Sequence, residues 1–411
     1  MLIFFFQLFY DTILCMKTRQ FPFVVITKKQ EKTIRNGHLW VYEDEITEQS
    51  EDISNGSITD VFTGKGIYLG SGLYSSASKI RVRILGNNPN ETYGDSYFQR
   101  KVQYAIAYRK EVMGEDFHAC RIIHGEADGL PGLTVDRYEN ILVTEVNSYG
   151  IEQRKEVIYQ ALCEGIQGIE GIYERNDSAL RQKEGLSQYS GWYKKSASPV
   201  VRIQENGIFY EVNVEEGQKT GFFLDQKYNR MCIQKIAKGK DVLDCCTHTG
   251  SFALNAAKGG AKSVLAIDIS EPALDCARRN AEINKLNIQF AQGDVFEILE
   301  EKKKEHARYD LIILDPPAFT KARKTAKNAY QGYLSINKTA MEILSRGGFL
   351  ATCSCSHFMS NEMFRQMLVE ASNKAQKGIR IVEERHAAPD HPVLPAVNET
   401  EYLKFYLIQM I

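Results

Sequence analysis

The chain has 411 residues, room for two or three domains of ordinary size. With 43% hydrophobic and 25% charged residues it reads as globular, which excludes a disordered or collagen-like chain. Its 51 Lys and Arg against 52 Asp and Glu leave a formal charge of −1, so nucleic acid could be held only by local basic patches.

Residues 1–16 (MLIFFFQLFYDTIL and two more) are apolar but lack a basic leader and a small-residue cleavage site. Gln7 and Asp11 interrupt the run well short of the ~20 residues of a membrane span. This stretch is read as a non-functional extension, with Met16 a plausible true start and an anchor or docking segment as the alternative, and no membrane association is expected. The nine cysteines are odd in number, and none form a CxxC pair, so they are expected to be reduced thiols in a cytoplasm with no metal site.

Residues 17–90 read as a small β-rich domain, with short apolar runs at Phe23–Ile26, Leu39–Tyr42, Ile58–Phe62, Ile67–Leu69 and Ile80–Leu85. Lys28, Lys29, Lys32 and Arg35 cluster before His38 and Trp40, which suits either a nucleic-acid surface or a solvated loop beside a core tryptophan. A turn-rich linker follows at 87–95. Residues 96–215 read as an α+β middle domain. It has a helix over 97–115 with Val102, Ile106 and Arg109 on one side, a second helix near 151–164, and strands at Asn140–Val146, Ile172–Glu174 and Ile208–Val214.

From about 233 strands alternate with helices, the pattern of a doubly wound parallel sheet, and 216–411 is read as one such domain. Strands are expected at Val242–Asp244, Ser263–Ile267, Ile288–Ala291, Leu311–Leu314, Phe349–Ser354, Ile379–Glu383 and Tyr402–Ile408. Helices are expected at 251–259, 271–284, 295–304, 330–344 and 361–377. Ligands of such sheets bind at the carboxyl ends of the strands, so those residues carry the functional reading.

The first strand runs into Asp244-Cys-Cys-Thr-His-Thr-Gly250, a turn whose N–H groups and following helix N-terminus suit a nucleotide-like ligand, though a GxGxxG fingerprint is lacking. Asp268 ends the second strand, placed as the acid that accepts ribose hydroxyls, and Asp294 after the third could accept an adenine amine. Each alone could be a helix cap; three in register are harder to dismiss. The fourth strand ends in Asp315-Pro-Pro-Ala-Phe319, where the prolines stiffen the turn that holds the carboxylate. The fifth brings Cys353 and Cys355 to the same rim.

Taken together, DCCTHTG, Asp268, Asp294, DPPAF and the cysteine-bearing strand end resemble a class I S-adenosylmethionine-dependent methyltransferase. GHLWVYEDEI with GSGLYSSASKIRVRIL resembles a PUA-type RNA-binding domain. HGEADGLPGLTVDRY, IYERNDSALRQKEGL and GQKTGFFLDQ extend the resemblance to the bacterial large-subunit (23S) ribosomal RNA cytosine-5 methyltransferases over essentially all of 17–411. The resemblance implies S-adenosylmethionine as methyl donor and a ribosomal RNA cytosine as acceptor. It implies that Asp244, Thr247, Thr249 and Gly250 line the methionine end of the cofactor, Asp268 the ribose, and Asp294 with Val295 the adenine. Gln226 would lie near the cofactor mouth and Asp315 would face the target base. Cys246 stands where the family more usually has an aromatic residue. A homodimer is left open.

Carbon 5 of cytosine is too electron-poor to attack a methyl group unaided, and thiolate addition at carbon 6 makes it enamine-like. Cys355, nearer the strand's end and in the better-matching SCSHFM context, is the expected nucleophile, with Cys353 a buried neighbour. For each thiol the alternative is a small core hydrophobe. RNA contacts are expected from Lys28, Lys29, Lys32, Arg35, Arg175, Arg181, Lys321, Arg323 and Lys324. Two rivals stay open: a methyltransferase acting on a ring nitrogen or amine, and a non-enzymatic RNA-binding assembly factor of the same fold.

Overall fold

The computed structural model describes residues 21–320 and 326–411. The expected extension at 1–16 and three of the expected RNA contacts, Lys321, Arg323 and Lys324, lie outside the described residues. The chain forms two compact units, one made of residues up to Val201 with Asn213–Phe222 and Pro392–Thr400, the other of Arg202–Val212, Phe223–His391 and Glu401–Ile411. Among the described residues no helix is long and apolar enough to cross a membrane.

The first unit contains a six-stranded sheet in the order β2-β6-β5-β4-β1-β3. Its strands are β1 (Phe23–Ile26), β2 (Trp40–Tyr42), β3 (Ile46–Gln49), β4 (Ile58–Thr63), β5 (Tyr68–Tyr74) and β6 (Ile80–Gly86). The basic cluster lies on a helix rather than a loop, α1 (Lys28–Arg35), whose N-cap Thr27 accepts from the Gln30 amide. Gln30 and Ile34 turn inward while Lys28, Lys29, Lys32 and Arg35 are exposed. Trp40 is half-buried, donating its indole N–H to Glu126 over 3.0 Å with the Arg83 guanidinium above its ring. The expected linker is anchored by Tyr93, which is buried against Tyr97.

A five-stranded sheet of order β11-β10-β9-β8-β7 follows. It is built from β7 (Ala119–His124), β8 (Leu133–Tyr138), β9 (Ile141–Val146), β10 (Gly171–Asn176) and β11 (Tyr189–Tyr193). Its helices are α2 (Asp95–Met113), α3 (Tyr149–Glu152), α4 (Lys155–Gly165) and α5 (Ala179–Lys183). Val102, Ile106 and Arg109 are buried along α2, as their spacing implies. The hairpin of β12 (Val200–Glu205) and β13 (Ile208–Asn213) falls largely in the second unit.

The second unit carries a seven-stranded sheet of order β16-β15-β14-β17-β18-β20-β19. Its strands are β14 (Asp241–Cys245), β15 (Ser263–Asp268), β16 (Gln289–Gln292), β17 (Tyr309–Leu314), β18 (Leu344–Ser354), β19 (Ile379–Arg385) and β20 (Lys404–Met410). The helices are α6 (Lys227–Ile236), α7 (Ser251–Lys258), α8 (Glu271–Ile283), α9 (Val295–Lys304), α10 (Ala326–Ile343) and α11 (Asn361–Lys374). Strand composition follows position. Central β17 ends in an unbroken buried run, Leu311–Leu314, because helices cover both faces. Edge strand β19 alternates half-buried and exposed residues and carries Arg and Glu, which discourages pairing with another chain. Leu243, Ile312, Leu350 and Ile408 pack on one face of the sheet with α9, α10 and α11. Val242, Ile313, Ala351 and Leu407 pack on the other with α6 and α7.

Candidate functional site

Strand order reverses between β14 and β17, and their carboxyl ends lie side by side. Register then fixes what meets there. Cys245 is level with Leu314 and Ile267, and Leu314 with Thr352. The next residue along each strand therefore brings Cys246, Asp315, Asp268 and Cys353 to one rim, with Cys355 two residues, or roughly 6.6 Å of strand, further out.

The turn after β14 is strained. Cys246 and His248 have φ of +62° and +50°, and Gly250 has +80°. Gly250 is required twice over, since a Cβ there would also stand 2.9 Å from the Ala277 Cβ. Asp244 anchors this turn, its Oδ2 accepting from the Thr247 hydroxyl at 2.6 Å and the Ala253 amide at 2.9 Å. Its other oxygen, Oδ1, is buried with no hydrogen-bond partner among the described residues, and so is the Thr249 hydroxyl. Asp268 accepts the His248 amide (2.8 Å) and the Ser270 amide (2.9 Å), one on each oxygen, which fixes the carboxylate at the β15 end. Asp294 caps α9 by accepting from the Phe296 and Glu297 amides, with Val295 buried behind it.

These four acids converge. Burial, followed by Asp268, Asp315, Asp244 and Asp294, raises the half-buried Cys246 thiol far above the ordinary range. Asp244 is pushed up to about 7, chiefly by burial, with Asp315 and Asp268 adding to it. A ligand bearing positive charge would relieve these shifts, and an ammonium would satisfy the orphaned Asp244 oxygen. S-adenosylmethionine carries an ammonium and a sulfonium, so the residues present fit it.

At Asp315 the surroundings come from an element that the sequence did not signal, α6 and the 224–226 turn before it. Arg385 Nε donates to Asn229 Oδ1 at 3.1 Å, Asn229 Nδ2 to Gln226 Oε1 at 2.6 Å, and Gln226 Nε2 to Asp315 Oδ2 at 3.1 Å. Gln226 thus presents its amide to Asp315. Asp315 is itself pushed up to about 7, first by burial and then by Asp225; Arg230, Gln226 and Cys353 counter the rise. Asp225 accepts from the Tyr402 hydroxyl at 2.6 Å, and Arg230 forms a buried pair with Glu205 at 2.6 and 2.8 Å. Asp225 stands inside the GFFLDQ junction, so the motif held the signal.

Cys353 is fully buried beside Asp315, and burial with that charge raises its thiol well above the ordinary range. Cys355 is half-buried at the rim. Phe319 of the DPPAF turn packs on Tyr333 with ring centres 4.6 Å apart, and Phe296 lies at 6.0 Å on its other contact.

The family described as S-adenosylmethionine-dependent methyltransferases matches residues 180–408, and the PUA-like domain family matches residues 24–87. The ribosomal RNA large subunit methyltransferase I of Photobacterium profundum is 39% identical over 393 residues, 93% of this chain and 97% of that protein. The protein of the same name from Escherichia coli O139:H28 is 34% identical over 94% of this chain and 99% of its own length. The chain belongs to the ribosomal RNA large subunit methyltransferase I family. It is an S-adenosylmethionine-dependent methyltransferase with a PUA-like domain before the catalytic sheet. A candidate methyltransferase from Streptococcus mutans shares the fold, with a TM-score of 0.80 at 22% identity over 94% of this chain and 99% of its own.

Two of the expected RNA contacts, Arg181 and Arg175, are engaged within the first unit. Arg181 is buried, 1% exposed, and is spent on Glu152 at 2.9 Å and on the Val146 and Ser187 carbonyls. Arg175 is half-buried and donates to the carbonyls of Val214, Glu215 and Gly217. Both guanidinium groups bind backbone carbonyls within the first unit, and Arg181 is enclosed there.

Proposed function

We propose that this chain methylates carbon 5 of a cytosine in large-subunit ribosomal RNA, in the cytoplasm, with Cys355 as nucleophile. The observation that carries the reading is the register of β17 and β18. It sets Asp315 level with a buried Cys353 and leaves Cys355 two residues further toward the rim. The relatives' name supplies the substrate class.

S-adenosylmethionine, when bound, supplies an electrophilic methyl group. The Cys355 thiolate adds to carbon 6 of the base, and the ring electrons shift to carbon 5 and nitrogen 3. Asp315, with a carboxyl near 7, can donate a hydrogen bond to the ring as that charge builds. After methyl transfer the carbon 5 proton passes to water, its electron pair re-forms the carbon 5–carbon 6 double bond, and the carbon–sulfur bond breaks, returning the thiolate. Asp244, Thr247, Thr249 and Gly250 take the methionine end of the cofactor, Asp268 the ribose, and Asp294 with Val295 the adenine. The exposed face of α1, with Lys28, Lys29, Lys32 and Arg35, contacts phosphate.

Phe319 also supports carbon over nitrogen. Enzymes acting on exocyclic amines tend to put an aromatic directly after the second proline; here Ala318 intervenes, and Phe319 is engaged with Tyr333. In the test, Cys355→Ala binds S-adenosylmethionine as wild type does. It yields no methylated RNA, and it forms no covalent adduct with 5-fluorocytosine-containing RNA. Turnover retained in Cys355→Ala and lost in Cys353→Ala would reverse the two cysteines. Turnover retained in both moves the chemistry to nitrogen. Bisulfite mapping of ribosomal RNA with and without the protein reads base and position together.

A further inference from the structure

One buried charge at the rim has no part in the chemistry above. Lys404 opens β20, opposite Ser354 of β18, and is 4% exposed. Its ammonium donates to the Ser356 carbonyl at 2.8 Å and to the Tyr402 carbonyl at 2.8 Å. A lysine has three donors and no acceptor. Here the bonded partners are neutral carbonyls, whereas a buried structural cation ordinarily has a carboxylate bonded to it.

We infer that Lys404 is a positioning residue for the nucleophile: its ammonium, fixed by the Ser356 and Tyr402 carbonyls against the chain that leaves β18, sustains Cys355 as a thiolate. The inference rests on the reading of Cys355 as nucleophile. Groups from three elements act on Cys355: the Cys353 thiol from β18, the Tyr333 phenol from α10, and Lys404 from β20. The two neutral groups stay protonated at pH 7, since burial raises Tyr333 to about 12 and Cys353 well above the ordinary thiol range. His357, two residues along, is exposed. Lys404 is the cation among these three. Burial lowers its ammonium to about 8, while the Cys355 and Glu401 charges pull it back up, so it is still protonated at neutral pH. A cation beside a thiol lowers the pH at which the thiolate forms. Its link to the Ser356 carbonyl also ties the charge to the residue that follows the nucleophile.

The test reads the thiol directly. Iodoacetamide modification of Cys355 is followed by peptide-resolved mass spectrometry from pH 5 to 10 in the full chain, for wild type, Lys404→Gln, Lys404→Met and Lys404→Arg. Thermal melting serves as the folding control. The expected midpoint for wild type lies below the ~8.5 of an ordinary cysteine. In Lys404→Gln and Lys404→Met it moves up by roughly one pH unit or more. Methyl transfer at pH 7 then falls about tenfold and recovers at higher pH. Lys404→Arg restores both, and S-adenosylmethionine affinity is the same in all four. A wild-type midpoint at or above the ordinary value overturns the inference without recourse to any variant. So does an unchanged midpoint in a folded Lys404→Gln or Lys404→Met. Because alkylation needs no turnover, these outcomes are separate from Cys355→Ala retaining activity, which would overturn the carbon 5 reading itself.

Discussion

Acids are treated in opposite ways in two regions of this molecule. Around the five-stranded sheet they meet arginines. Asp128 takes both forks of Arg109, Asp136 takes Arg121 at 2.8 and 2.9 Å, and Glu152 takes Arg181. At the carboxyl edge of the seven-stranded sheet, Asp244 and Asp315 hydrogen-bond to neutral groups instead, and both are pushed up to about 7. Where the charges cancel internally, the pair is part of the scaffold and sets how strands and helices pack. Where they do not, burial raises both carboxyls, and under the proposed reading a bound cation would relieve them.

That contrast is easiest to break at Arg109, which is fully buried. Arg109→Met leaves Asp128 without its guanidinium, and loss of one partner of a buried pair costs about 3–5 kcal/mol. Denaturant unfolding of the full chain should show a shift of that size. An unchanged transition would mean that the pairing contributes nothing to the scaffold.

The next largest effect is expected at Asp244. Replacing it by Asn removes a charged hydrogen-bond acceptor worth about 1.5–3 kcal/mol, or roughly 10- to 150-fold in S-adenosylmethionine affinity. Stability should move the other way. A carboxyl whose folded value lies near 7 and whose unfolded value lies near 3.8 binds more protons when folded, so the protein loses stability as pH rises between those values. Asp244→Asn abolishes that loss, and its melting temperature without ligand should equal or exceed that of wild type at pH 8. For the same reason, cofactor affinity in wild type should strengthen as pH rises through about 7, with release of protons. Calorimetry in buffers of different ionisation enthalpy measures that release directly, and a proton-neutral binding reaction would count against the unpaired state of the site.

Gln226 sharpens the comparison within the site. The resemblance implied a place near the cofactor mouth, and its amide donates to Asp315 and is itself oriented by Asn229 and Arg385. Gln226→Leu removes one neutral hydrogen bond, worth about 0.5–1.5 kcal/mol. Turnover should fall up to about tenfold with cofactor affinity unchanged. A weakened cofactor affinity with intact turnover would place Gln226 with the cofactor rather than with Asp315.

How much of this could be read in advance depended on what each residue is asked to bury. Strand ends were legible because an apolar run followed by Asp, or by Asp-Pro-Pro, marks both the sheet and its functional rim. All seven expected strands of that sheet are present within a few residues of where the pattern put them. Helix α6 was not legible. It buries Lys227, Asn229 and Arg230 alongside Cys232 and Ile233, so its inward face is half polar and its apolar periodicity is lost. The same blindness misplaced Arg181, whose partner Glu152 stands 29 residues away and cannot be paired with it by spacing. Helix α1 was missed because only Gln30 and Ile34 of its eight residues are buried, which leaves a basic run with no apolar stripe.

The smallest expected effect concerns that helix. Its Lys28, Lys29 and Lys32 are exposed, and among the described residues none of them forms an ion pair, whereas Arg35 is tied to Glu31 at 3.0 Å. If α1 contacts RNA, it does so through uncommitted charge, the reverse of Arg181. Each phosphate neutralised on a single strand adds about 0.7 to the slope of log affinity against log salt. A Lys28→Ala, Lys29→Ala, Lys32→Ala triple variant should therefore lower that slope by up to about 2, with affinity weakened most at low salt and melting temperature unchanged. Arg181→Ala should do the converse and lower the melting temperature while leaving the salt slope of the folded protein alone. If the triple variant keeps the wild-type slope, the exposed face of α1 is a solvated surface, and the phosphate contacts belong to another part of the chain.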